Sequence, residues 1–242
     1  MKRIERRRLK ENEVALSVAR ARETFDIYRK PIIAGLVTLA LIVVAVVGVT
    51  AWRKSADSNA RTLLADAMAV AGAPVVPATP GPNTPAPSPG SFGSEKAKLE
   101  AALQKFMAAA AAHPSSEPGI AARYHAAAIL ATLGRHKEAE QRYREVIEKP
   151  GADLYGPMAR LGLANTQAAA GQRDQAIAAY KELSARKDSD LPVDAILMQL
   201  ARTYLQDGKT AEAQQTLRRI GDEFPQSPYA SLAAKELGQI KN

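Results

Sequence analysis

The chain has 242 residues, 46% of them hydrophobic but only 5% aromatic, and a formal charge of +8. Apolar content that is mostly aliphatic, with much alanine, favours thin, closely packed helices over a β-sandwich, whose strands use aromatic and β-branched side chains. The absence of cysteine excludes disulfides, thiolate zinc sites and cysteine nucleophiles.

The basic excess sits at the start. Residues 1–30 hold ten Lys/Arg against five Asp/Glu. Val14, Val18, Ala21, Phe25 and Tyr28 fall on one stripe of a helix, so a short amphipathic helix is expected in this tail. Its basic residues are read as fixing membrane topology; pairing with another helix or lying on anionic lipid is the other reading.

Residues 31–52, "PIIAGLVTLALIVVAVVGVTAW", carry no charge. As a helix they would reach roughly 33 Å, enough to cross a hydrocarbon core. The polar side chains are Thr38 and Thr50, whose hydroxyls are expected to bond the helix's own carbonyls, and Trp52, which suits an interface. The larger basic load lies N-terminal to the run. That bias keeps the N-terminus in the cytoplasm and exports the C-terminal part of the chain. Val49-Thr50-Ala51 loosely resembles a small-x-small cleavage site, but the long n-region and long apolar run favour an uncleaved anchor.

Beyond the span, Leu63, Leu64, Ala67, Met68 and Ala71 make a helical stripe within residues 56–72, stopped by Gly72 and Pro74. Pro74 to Gly90, "PVVPATPGPNTPAPSPG", contains seven prolines and is incompatible with a helix or a strand. It reads either as a tether or as an insertion within a domain.

The rest of the chain repeats itself. "LGRHKEAEQRYREVIEK" begins at Leu133, "AGQRDQAIAAYKELSAR" at Ala170 and "DGKTAEAQQTLRRIGDE" at Asp207, each 37 residues after the last. Gly134, Gly171 and Gly208 align. So do Ala139, Ala176 and Ala213; Tyr143, Tyr180 and Leu217; Val146, Leu183 and Ile220; and, upstream, Ala127, Ala164 and Ala201. This self-similarity predicts a solenoid of helical pairs, each ending its first helix at a glycine and each needing a neighbour to bury its apolar faces. One period earlier, Ala102, Phe106 and Pro114 fit the second-helix pattern, so residues 94–113 read as the second helix of an earlier unit. "SPYASLAAKELGQIKN" reads as a lone capping helix with Lys235, Glu236 and Lys241 facing water. In that register the proline stretch becomes a disordered insertion at 73–93 inside the first pair, whose ends must come close together. The extra length of each period is placed at "KPGADLYGP" and "KDSDLPV".

Little in the chain points to catalysis. "DGKT" at Asp207–Thr210 lacks the preceding glycine and strand of a phosphate loop. His113, His125 and His136 have no metal-ligand spacing. No G-x-S-x-G, paired catalytic carboxylates or dinucleotide fingerprint occurs. The basic stretches are interleaved with glutamate, which reads as a solvated helix face and not a nucleic-acid track. The chain is therefore expected to be no enzyme, with no catalytic residues, no metal, no cofactor and no nucleic acid partner.

The repeats resemble the tetratricopeptide repeat (TPR): Ala201, Gly208, Ala213 and Pro225 fit its pattern, although Leu217 replaces the aromatic, the early Trp is missing, and the period is 37 where 34 is usual. The resemblance implies an all-α fold of roughly four helical units plus a capping helix over residues 53–242, after the tail (1–30) and the transmembrane helix (31–52). It also implies a partner-binding groove lined by the first helix of each unit. Carried over by position, its residues are Tyr124, with Ala121, Ala128 and Ala131; Met158, Leu161 and Asn165, with Ala168; and Met198, Arg202, Leu205 and Gln206. Only Asn165 and Arg202 could contribute to clamping a terminal carboxylate.

The whole layout, with "GRHKEAEQRYREVI" and "DEFPQSPYASLAAKEL", resembles the ancillary SecYEG translocon subunit family. These are membrane-anchored repeat proteins that accompany the secretion channel. The resemblance implies a single-pass protein of the bacterial inner membrane with its solenoid in the periplasm. The implied partners are proteins: translocon subunits, periplasmic chaperones or exported clients. The alternative is a cell-envelope assembly scaffold unrelated to secretion, since "EFPQSPYA" also resembles repeats of envelope assembly factors. A third reading has residues 1–30 acting on nucleic acid or lipid.

Overall fold

The computed structural model describes the backbone of residues 2–76, 90–186 and 191–240; side chains are described within these spans except at 2–32 and 51–54. All its regular elements among the described residues are helices. They are α1 (Lys2–Ala71), α2 (Glu95–Ala112), α3 (Glu117–Thr132), α4 (His136–Ile147), α5 (Tyr155–Ala169), α6 (Arg173–Ala185), α7 (Val193–Gln206), α8 (Thr210–Glu223) and α9 (Pro228–Ile240).

The chain divides into two compact units, Met1–Ser55 and Ala56–Asn242, and the division falls inside α1. The expected tail helix, span and first repeat helix are thus a single helical element. No Gly or Pro stands between Trp52 and Leu63 to stop it. In the first unit, every residue from Ile33 to Thr50 is exposed. Their length and composition suffice to cross a membrane. The Thr38 hydroxyl donates to the carbonyl of Ala34 at 2.8 Å and that of Thr50 to Val47 at 2.9 Å, so neither polar group would be left unpaired in an apolar medium. The stripe from Val14 to Tyr28 falls on side chains outside the described set.

In the second unit the residues aligned by the 37-residue register are the ones that close the core. Ala127, Ala164 and Ala201 are fully buried, as are Ala139, Ala176 and Ala213, and Val146, Leu183 and Ile220 lie beside them. Alanine at these positions lets paired helices approach closely, and the bulkier register positions fill the layer between pairs. The apolar interior forms two clusters, one centred on α2–α4 and one on α6–α8. Ala67 of α1 is wholly buried in the first, together with Leu103 and Phe106 of α2, and Leu63, Leu64, Val70 and Ala71 pack at its edge. Residues 56–71 and α2 therefore share one core.

The three aligned glycines end their helices in the same way. Gly134, Gly171 and Gly208 have φ of 74°, 78° and 75°, the left-handed region that costs a Cβ-bearing residue energy. Each lets the following N–H turn back: Arg135 donates to Leu130, Gln172 to Gln167 and Lys209 to Tyr204, at 2.8–2.9 Å. This is the Schellman geometry, three times over. At the helix starts, Ser94 and Ser116 cap α2 and α3 by accepting from Ala97 and Gly119.

The flanks of the proline-rich stretch lie side by side. Val76 N–H donates to Phe92 at 2.9 Å and Phe92 N–H to Pro74 at 3.0 Å, so the ends of the segment meet next to the first helical pair. The expected disorder of the insertion, at 77–89, falls outside the described residues, as do residues 187–190 of "KDSDLPV" and Lys241. α9 stacks on α7 and α8, but Glu236 does not face water as expected. Its carboxylate is turned onto Arg202 of α7.

Candidate functional site

First helices of successive pairs touch: α3 meets α5, α5 meets α7, and α7 meets α9. Second helices make no such contact with each other among the described residues. The first helices therefore line the inner side of the stack, where a repeat solenoid presents its groove.

The closeness of α5 to α4, the second helix of the preceding pair, depends on one register position. It is occupied by Gly162 in α5, and the ring of Tyr143 packs onto it so closely that a Cβ would lie 2.5 Å from the ring. One period later the same position is Gln199. There a cleft of about 520 Å³ stands between α5 and α7, with Tyr180 and Gln199 both on its wall. Asn165, Ala168 and Ala169 complete the α5 side, and Arg202, Thr203 and Gln206 the α7 side.

Its polar groups are set by specific bonds. The buried Tyr180 phenol donates to Asn165 Oδ1 at 2.7 Å, and burial holds the phenol's pKa well above its ordinary 10.0, so it stays a donor. Asn165 thus offers its amide N–H₂ to the cleft. Arg202 places Nη2 at 2.7 Å and Nε at 3.0 Å from Glu236 Oε1. The charge of the arginine is met within the fold. Thr203 donates to the carbonyl of Gln199.

A second recess, of about 260 Å³, lies nearer α1 within the same unit. Arg61, Leu64, Ala65 and Met68 of α1 face Glu117, Pro118 and Ala121 of α3 and Tyr155 of α5 across it.

The eight residues proposed from sequence separate in the structure. Asn165, Arg202 and Gln206 meet in the cleft. Tyr124 instead joins an aromatic cluster, its ring centroid 5.4 Å from His125, 5.5 Å from Tyr155 and 6.0 Å from Tyr143. Leu161 and Leu205 pack against the second apolar cluster, and Met158 is half-buried on α5 away from the cleft. Met198 must be corrected. It is fully enclosed, in the cluster that also holds Ala233 and packs Leu232 and Leu237 of α9, so its side chain cannot meet a partner. Gln199, Thr203 and Tyr180 were not anticipated. Gln199, Arg202 and Gln206 follow the i, i+3, i+7 spacing of one helix face, which was legible in the sequence. Among the described residues no group of His, Cys, Asp and Glu is placed to hold a metal ion.

Comparison with known proteins agrees with this architecture. The tetratricopeptide repeat-like domain family matches residues 115–240. Cellulose synthase 1 operon protein C of Komagataeibacter xylinus is 33% identical over 122 residues, which is 50% of this chain but 8% of that protein. The chain thus spans less than a tenth of that relative's length. Among solved structures, the Podosopora anserina putative kinesin light chain nearly identical TPR-like repeats align with a TM-score of 0.51 at 17% identity. That alignment covers 60% of this chain and 79% of that one; a point variant of the same repeats gives the same TM-score and covers 78% of its chain. At such identity the likeness speaks for the fold alone. The matched span runs from α3 to α9, and the chain belongs to the tetratricopeptide repeat-like domain family.

Proposed function

We propose that this is a membrane-anchored TPR protein whose inner cleft takes up segments of protein partners, as an ancillary factor of the secretion channel that assists newly exported proteins or their chaperones. TPR-like repeats imply protein–protein interaction, and the fold is typically a scaffold without catalysis. The observation that carries the proposal is the pairing, on one chain, of a helix apolar enough to cross a membrane with a TPR-like solenoid. The basic bias before the span supports a cytoplasmic N-terminus and an exported solenoid. The location on this reading is the bacterial inner membrane.

A second reading, a cell-envelope assembly scaffold unrelated to secretion, is favoured by the relative encoded in a cellulose synthase operon. Crosslinking in native membranes, with partners identified by mass spectrometry, separates the two. Channel subunits are expected among the adducts. Recovery of envelope assembly factors without channel subunits would overturn the secretion role in favour of the scaffold.

A further inference from the structure

We infer that the α5–α7 cleft recognises internal, extended stretches of a partner through their backbone, and not chain ends through their carboxylate. This rests on the reading of the cleft as the partner-binding groove and names what enters it.

Charge speaks against a carboxylate anchor. Among the described residues, Arg202 is the one charged residue on the cleft wall, and Glu236 of α9 already occupies it through both Nε and Nη2. A free carboxylate arriving there would meet only Nη1 and the outer edge of Nη2, on a cation whose charge is already balanced by a fixed, intramolecular carboxylate with a side chain only 17% exposed. A charge-assisted bond that is already made adds nothing to a new ligand. The rest of the wall carries no second cation.

The side-chain amides of Asn165, Gln199 and Gln206 remain on the wall. Asn165 presents N–H₂ because its oxygen is taken by Tyr180. Gln199 and Gln206 are exposed, and each side-chain amide both donates and accepts. They stand seven residues apart on one face of α7, roughly 10 Å along the axis. An extended chain covers that distance in about three residues. Two amides so spaced match the N–H and C=O groups of an extended backbone, which every sequence carries. The small Ala168 and Ala169 opposite leave room for varied side chains.

The test uses the full-length chain in nanodiscs. The probes are N-acetylated, fluorescein-labelled 12-residue peptides tiling reduced, carboxymethylated α-lactalbumin, each made with a C-terminal amide and with a free carboxylate, and read by fluorescence anisotropy. The amide and acid forms should bind within about twofold of each other. Gln199→Ala with Gln206→Ala, both exposed positions whose loss leaves the core intact, should weaken both forms about tenfold. Glu236→Gln, by freeing Arg202, should give the acid forms a preference of about fivefold or more. Acid forms favoured tenfold by the unaltered chain would overturn backbone recognition while leaving the groove standing. Unchanged binding in the double glutamine variant would overturn it too. Failure of every peptide to bind would overturn the groove reading and this inference together.

Discussion

Gly162 sets how closely α4 and α5 can approach. A Cβ there would lie 2.5 Å from Tyr143 Cζ and 2.6 Å from Cε1, well inside van der Waals contact, and the ring is 4% exposed with little room to move. Gly162→Ala should therefore lower stability by about 1–3 kcal/mol, the usual cost of overpacking a filled interior. Thermal unfolding would measure it, and adding Tyr143→Leu should recover part of the loss. His125 offers a second residue-scale test. It is half-buried, with its ring 5.2 Å from Phe106 and 5.4 Å from Tyr124, and burial lowers its pKa below the ordinary 6.5. The unfolded chain then binds a proton more readily than the folded one. Stability is fully present above about pH 6.5 and declines as the pH falls from there toward the folded-state pKa, after which this contribution is spent. The urea midpoint should be lower near pH 5.5 than near pH 7.5, and His125→Phe should shrink the difference. At this scale the sequence was a good guide to burial wherever the repeat aligned residues: Ala127, Tyr143, Val146 and their counterparts are all in the core. It failed at Met198, which carrying over family positions placed on the groove but which the apolar cluster of α5 to α9 encloses. It failed at Glu236 because a charged residue on a capping helix reads as solvated until its partner on another helix is known.

At the scale of elements, the pairs α3–α4, α5–α6 and α7–α8 are closed by the same device. The left-handed glycine lets the next residue's N–H return to a carbonyl of the last turn, which satisfies groups that a helix end otherwise leaves unpaired. Replacing Gly171 by Ala should cost about 1 kcal/mol, because a Cβ is disfavoured at its φ of 78°. Nothing lies within 4 Å of the added atom, so the loss is a pure backbone effect and should appear equally at Gly134 and Gly208. Unequal losses at the three sites, measured by urea unfolding, would count against a shared closing motif. The glycines were readable from sequence because the conformation leaves a residue type behind. The single α1 was not, because nothing marks the passage from Trp52 to Leu63 as either helix or break. The cleft was half legible. Asn165, Arg202 and Gln206 come from the groove positions that the family resemblance implies, but the register shows only that Gln199 stands where the preceding unit has Gly162, and a substitution within a repeat announces no cavity.

At the scale of the whole molecule, the central claim is that a membrane-anchored chain meets its protein partners through one cleft on the inner side of its repeat stack. The amide-bearing wall, whose one arginine is paired with Glu236, suits sequence-tolerant contact with protein partners. The most direct measurement places a photocrosslinking benzophenone residue at Gln199, inside the cleft, or at Lys181, on the exposed face of α6, in cells carrying the full chain. Adducts are identified by mass spectrometry from isolated membranes. The account predicts that Gln199 captures exported polypeptides, or chaperones and channel subunits, and that Lys181 does not. Equal capture from both positions, or capture from Lys181 alone, would contradict it.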